Sequence, residues 1–157
     1  MLEMKEIKNT IFVEEAPKTL ENTIYKDCSF TEYNFYKATI KNCVFINCNL
    51  SESNFSKATV VDCKFFDCFI QFSAMLRVTF YKCEFHRCDL WHSNLCYSTV
   101  RECLFEKSIL RALYKDLDWK NNDFDEETIV ESCGGTYCCM DAGIIKELLE
   151  LSKRTAE

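Results

Sequence analysis

Glycine and proline are nearly missing from this chain, with three glycines and one proline in 157 residues. A fold bent by glycine-rich turns is thereby excluded, and the corners must be built by other side chains. Histidine is equally scarce: His86 and His92 are the only two. Acid–base chemistry therefore has few imidazoles to draw on. No apolar run reaches the ~18 residues of a membrane span, and no secretory leader is read at the start. No basic stripe marks a nucleic-acid site. Neither a membrane nor a nucleic acid is expected as a partner.

What the chain has is a period. Every fifth residue from Phe30 to Leu110 is apolar, seventeen centres in succession, including Phe45, Leu50, Phe55, Val60, Phe65 and Ile70. Five fits neither the 3.6 of a helix nor the 2 of a flat strand. A small or thiol side chain usually stands two residues before each centre. The units group in fours. At a spacing of twenty residues, one column of centres reads Phe45, Phe65, Phe85, Phe105. Its small partners read Cys43, Cys63, Cys83, Cys103, and another column reads Thr39, Thr59, Thr79, Thr99. Uniform columns follow if each turn of twenty residues stacks directly on the one below, ~4.8 Å apart. Centre and small partner share parity, so both point inward and the residue between them points out. Four short extended segments per turn close a square tube, with one large and one small side chain per side to fill it.

The units Cys48-Asn49-Leu50, Ser53-Asn54-Phe55, Cys88-Asp89-Leu90 and Ser93-Asn94-Leu95 resemble the pentapeptide-repeat family, whose consensus is Ala-Asp/Asn-Leu-x-x. The resemblance covers residues 26 to 110 strongly and continues more weakly to Phe124. It implies an all-β solenoid, a right-handed quadrilateral parallel β-helix. The chain departs from the consensus by using Cys for Ala and often Phe for Leu.

The expected organisation is an N-terminal cap over 1–25, a β-helix of about five coils over 26–130, and a C-terminal loop and helix over 131–157. Ile7–Val13 is expected as a capping strand. The frame slips by one residue near Leu113 and resumes at Tyr114, Trp119, Phe124 and Ile129. A helix over Asp141–Arg154, with Ile144, Ile145, Leu148 and Leu149 on its apolar side, either caps the stack or docks a second subunit.

Eight of the twelve cysteines fall in inner columns. Their spacing matches no zinc motif, so they are read as small core hydrophobes in a reducing cytoplasm. Cys133, Cys138 and Cys139 form a loop cluster without a recognisable ligand set. No metal or other cofactor is expected. The net charge of −6 is uneven. Residues 26–110 hold nine acids and ten bases, while 111–157 hold eleven acids and six bases.

His86 and His92 are expected at outward corners. A pairing of His92 with Cys96 lacks an orienting group and an oxyanion site, so catalysis is not expected. The outward apolar residues are the candidate partner interface: Phe69, Phe72, Leu76, Trp91 and Tyr97, together with the helix face above. The expected function is a non-catalytic scaffold or protein-interaction module whose partner is unknown, assembled as a homodimer. The alternative, which the resemblance implies, is a DNA-mimic protein that binds DNA gyrase or another type II topoisomerase and protects it from inhibitors. The near-neutral coil argues against that alternative.

Overall fold

A computed structural model describes residues 3–13, 15 and 17–132. The chain winds as a parallel β-solenoid of about six turns, with no helix among the described residues. One side is a seven-stranded sheet. It runs from Lys5–Lys8 through Thr23–Lys26, Val44–Ile46, Lys64–Phe66, Glu84–His86 and Leu104–Glu106 to Asp123–Phe124. A second side is a six-stranded sheet from Thr19–Glu21 to Asp118–Lys120. Single parallel bridges hold the other two sides, one through Ser29, Asn49, Phe69, Asp89 and Ile109, the other through Asn34, Asn54, Ala74, Asn94 and Leu113. These four sides are the square read from the period. The expected helix over Asp141–Arg154 lies outside the described residues.

Through the regular coils each residue pairs with the one twenty positions on, as Phe45 does with Phe65 and Phe65 with Phe85. The columns therefore pack like on like. The rings of Phe45, Phe65, Phe85 and Phe105 are stacked 4.9 Å apart, tilted by 4°, 3° and 2° in turn. That separation is set by the spacing of neighbouring strands.

The small inner residues also carry a donor that the tube can use. Cys48 Sγ donates to the Tyr25 carbonyl at 3.4 Å, Cys68 to Phe45 at 3.4 Å and Cys88 to Phe65 at 3.3 Å. Ser108 Oγ does the same to Phe85 at 3.1 Å. Thiol and hydroxyl thus play one part, reaching a carbonyl of the coil before. Nine cysteines among the described residues are thiols. Burial, with hydrogen bonds from Cys103 and Cys63, pushes the Cys83 thiol far above its ordinary range.

The corners explain the scarcity of glycine. From Asn22 to Lys107 every fifth residue has a positive φ, between 50° and 59°, and none is glycine. Asn and Asp, which tolerate this region, fill Asn22, Asp27, Asn42, Asn47, Asp62 and Asp67. Glu, Lys, Arg, Phe, His and Tyr fill the others at a conformational cost. On two sides the residue before the centre secures the turn. Asn34, Asn49, Asn54, Asp89 and Asn94 each accept, through Oδ1, the N–H two residues on. This accounts for Asp or Asn at that place in the repeat.

Both ends depart from the reading of the sequence. The coil begins before residue 26, which is why about five coils becomes about six. In place of a strand over Ile7–Val13, the strand is Lys5–Lys8, and Asn9 turns a corner at φ 51°. Phe12 then stacks on Phe30 at 4.4 Å. Lys5 pairs with Thr23 and Ile11 bridges Ser29, so this coil is two residues short. At the other end Leu113 bridges Asn94 and Trp119 pairs with Val100, one residue short. Tyr114 and Phe124 are buried centres, and Trp119 packs half-buried against the core, stacked on Phe124. Register returns at Leu110–Val130. The last centre among the described residues is Val130, 9 % exposed, and not Ile129, 39 % exposed. The extra residue is absorbed in the turn Asp125–Thr128, where Thr128 Oγ1 bonds Asp125 Oδ1 at 2.6 Å. Asn122 takes the place of the next cysteine after Cys103. Its Oδ1 accepts the Cys103 N–H at 2.8 Å, and its Nδ2 donates to the Val100 carbonyl at 2.9 Å.

Three outcomes follow from this packing, all measurable by chemical denaturation. Phe85→Ala opens a cavity inside the ring stack and costs about 3–5 kcal/mol. Cys68→Ser keeps the donor and costs no more than about 1 kcal/mol, whereas Cys68→Leu overfills the tube and costs about 1–3 kcal/mol. Glu52→Asn relieves a corner at φ 59° without touching the core. It stabilises by on the order of 0.5–1 kcal/mol, while Glu52→Val destabilises.

Candidate interaction surface

The repeat frame turns the centre and the residue two before it inward, and everything else faces out. Phe69 is 54 % exposed, Phe72 52 %, Tyr97 44 %, Trp91 39 % and Leu76 38 %. All five lie where their place in the repeat puts them. Ile144, Ile145, Leu148 and Leu149 lie outside the described residues, as do Cys133, Cys138 and Cys139.

Phe69, Phe72 and Trp91 belong to the third and fourth regular coils. Phe69 bridges Asp89, two residues before Trp91. Phe72 meets Trp91 edge to face at 5.2 Å and stacks on His92 at 5.4 Å, and Trp91 meets His92 at 4.3 Å. The ring of His92 is thus held between two aromatic neighbours. Phe72 and His92 are corner residues, at φ 54° and 56°. In the same corner column two coils earlier stand Glu32 and Glu52. An aromatic here adds backbone cost and exposes apolar area together.

His86 is a correction. It lies on the strand Glu84–His86, one residue short of the corner, which is Arg87. It stacks on Phe66 at 4.7 Å, directly below it in the ladder. Nε2 lies 2.9 Å from Glu84 and Nδ1 3.3 Å from Glu106. The bond from His86, aided by Lys64, holds the Glu84 carboxyl below its ordinary range. No signal in the linear sequence marks this clamp, because two of its partners are twenty residues away.

Charge pairing also runs between coils. Arg87 grips Asp67 through Nε at 2.6 Å and Nη2 at 3.1 Å. Arg101 pairs with Asp118, Lys64 with Glu84 at 3.4 Å, and Arg111 with Glu131 at 2.7 Å. These charges meet as vertical pairs, each worth little on a wet surface. Among the described residues no group of three His, Cys, Asp or Glu is placed to hold a metal ion. No helix among them is long and apolar enough to cross a membrane.

Residues 18–76 match the family model of the pentapeptide repeat region. No curated protein matches the chain. Among solved structures it is similar to trypsin-treated QnrB1, described as a plasmid-mediated fluoroquinolone resistance protein, at 15 % identity and a TM-score of 0.30, covering 96 % of this chain and 98 % of that one. It is similar to the pentapeptide repeat protein Rfr23 from the cyanobacterium Cyanothece 51142 at 11 % identity and a TM-score of 0.30, covering 83 % and 87 %. It is also similar to HetL, a pentapeptide repeat protein involved in heterocyst differentiation regulation from Nostoc sp. strain PCC 7120, at 10 % identity and a TM-score of 0.33, covering 83 % and 84 %. Overlaps this loose carry no argument about what the chain does. The five-residue period and the four-sided coil it builds agree with the match of residues 18–76 to the pentapeptide repeat region.

Proposed function

We propose that this protein is a non-catalytic scaffold that docks a protein partner on the patch of Phe69, Phe72 and Trp91, with Leu76 and Tyr97 beside it. One observation carries the reading. Phe72 is 52 % exposed and sits at φ 54°, in a corner column that other coils fill with Glu32 and Glu52. An exposed aromatic in a disfavoured backbone region serves neither solubility nor stability, and such features gather at functional surfaces. Aromatic anchors of this kind dominate protein interfaces. The buried thiol columns support residence in a reducing compartment such as the cytoplasm.

Topoisomerase protection by DNA mimicry is the weaker alternative. It needs an unneutralised acidic face, and three of the seven acids over residues 111–132 are paired with bases. Asp118 pairs with Arg101, Glu127 with Lys107 and Glu131 with Arg111.

We also propose a homodimer, with the C-terminal segment bearing Ile144, Ile145, Leu148 and Leu149 as the first choice of contact and the aromatic patch as the second. Two-fold association is the commonest way to cover such surfaces. Light scattering on the full chain, on a chain ending at Tyr137 and on a Phe72→Ser/Trp91→Ser variant tests both parts. The expected result is a dimer for the full chain and a monomer for the shortened one. A monomeric full chain removes the dimer, and a dimeric shortened chain moves the contact to the patch. Cross-linking in cell extract then compares the full chain with the patch variant. An adduct seen only with intact Phe72 and Trp91 supports docking there, and identical adducts from both chains overturn it.

A further inference from the structure

One corner of the solenoid differs in charge from the others. The segments Asn34–Thr39, Asn54–Thr59, Ala74–Thr79 and Asn94–Thr99 follow one another up the stack and contain no Asp or Glu. Their corner residues are Lys37, Lys57, Arg77 and Tyr97, all at positive φ, between 57° and 59°. Three cations therefore stand one above another at the strand spacing of ~4.8 Å. Like charges so placed repel, and the backbone region favours Asn or Asp over Lys or Arg. Neighbouring corner columns relieve part of these costs with Asn or Asp corners and with pairs between coils. Asn47 donates to Asp27 at 2.8 Å, Asn42 to Asn22 at 2.8 Å, and Arg87 pairs with Asp67.

Among the described residues Lys37, Lys57 and Arg77 form no ion pair. Two tyrosines hold them instead. Lys37 and Lys57 lie 5.3 and 5.6 Å from the centre of the Tyr36 ring, and Arg77 lies 5.9 Å from that of Tyr97. The Lys57 hydrogen bond holds the Tyr36 hydroxyl below its ordinary range. Between the rings is a cavity of about 340 Å³ lined by Tyr36, Ser56, Lys57, Leu76, Arg77 and Tyr97. Its lining combines two cations, three hydroxyl-bearing residues, Tyr36, Ser56 and Tyr97, and the apolar Leu76. On this side of the solenoid the described carboxylates stand at the ends of the stack, Glu15 beside Asn34 and Asp116 at the corner after Tyr97.

We infer that this corner binds a short acidic segment of a partner protein, with carboxylates on Lys57 and Arg77 and an apolar side chain on Leu76 between the tyrosines. Charge complementarity selects the occupant. The cations are set in place by the rings before any ligand arrives, which lowers the ordering cost of binding. A single-stranded nucleic acid is the other ligand that cations and tyrosines attract. Two features disfavour it. Both rings are already engaged by cations, and the chain as a whole carries −6, which repels an extended polyanion. A short acidic segment meets only the cationic corner. The inference goes beyond the aromatic patch of Phe69, Phe72 and Trp91, since it concerns the adjoining corner, which shares only Leu76 and Tyr97 with the surface proposed above, and states the chemistry of what docks there.

Fluorescence anisotropy on the full chain tests it, with three labelled probes: an extended peptide of alternating Glu and Leu, the same peptide with Gln for Glu, and a single-stranded oligonucleotide. The expected result is binding of the acidic peptide alone, weakened by added salt. In a Lys57→Gln/Arg77→Gln variant, whose fold is checked by circular dichroism, affinity falls by about tenfold or more. The Phe72→Ser/Trp91→Ser variant binds the peptide like the unaltered chain. Equal binding of the Glu and Gln peptides, no salt dependence, or tighter binding of the oligonucleotide overturns the inference. So does a peptide lost by the patch variant and kept by the corner variant, an outcome that leaves the scaffold reading standing.

Discussion

In-register parallel pairing across one coil is the constraint on which everything else depends. Once each residue lies over its equivalent twenty positions away, the sequence is read vertically, and every column meets itself. A phenylalanine column becomes a ring stack at 4.9 Å. A thiol column becomes a chain of donors to the carbonyls of the coil before. The same rule sets the chemistry outside, where Arg87 finds Asp67 and His86 finds Phe66 although neither pair is close in sequence. A column of one charge has no such relief, and the cationic corner has to lean on tyrosine rings instead.

Much of the fold was legible because one short period determines it. The centres from Phe30 to Leu110, the inward thiols and the threonine column all follow from parity and a coil of twenty residues. Exposure of Phe69, Phe72, Leu76, Trp91 and Tyr97 follows from the same frame. What escaped was local. Phe12 is a centre, but the coil that holds it is two residues short, so the period breaks before it reaches Leu20. Val130 replaces Ile129 because a turn absorbs one extra residue, and nothing in the composition of Asp125–Thr128 announces it. His86 was placed one residue off, and its clamp between Glu84 and Glu106 needs the vertical neighbour to be known.

The corners show how the fold does without glycine. Positive φ at every fifth residue is a repeated penalty, and side-chain bonds from Asn34, Asn49, Asn54, Asp89 and Asn94 return part of it. Non-glycine corners also restrict the unfolded chain more than glycine would, which narrows the entropy lost on folding. Where a corner is Phe72, Tyr97 or Lys57, neither intrinsic tolerance nor local bonding explains the choice.

The constant coil length has a kinetic consequence. Closing each new coil brings together residues separated by about twenty positions, so every step has nearly the same loop-closure entropy. The first closure is the expensive one, because it gains no neighbour to stack on. Later coils add to a finished template from either end, as in a one-dimensional zipper. The regular middle is then the natural place for that zipper to start. The coils with altered length, around Phe12 and around Trp119, are the natural places for it to stop, and also the first to open when the solenoid unravels.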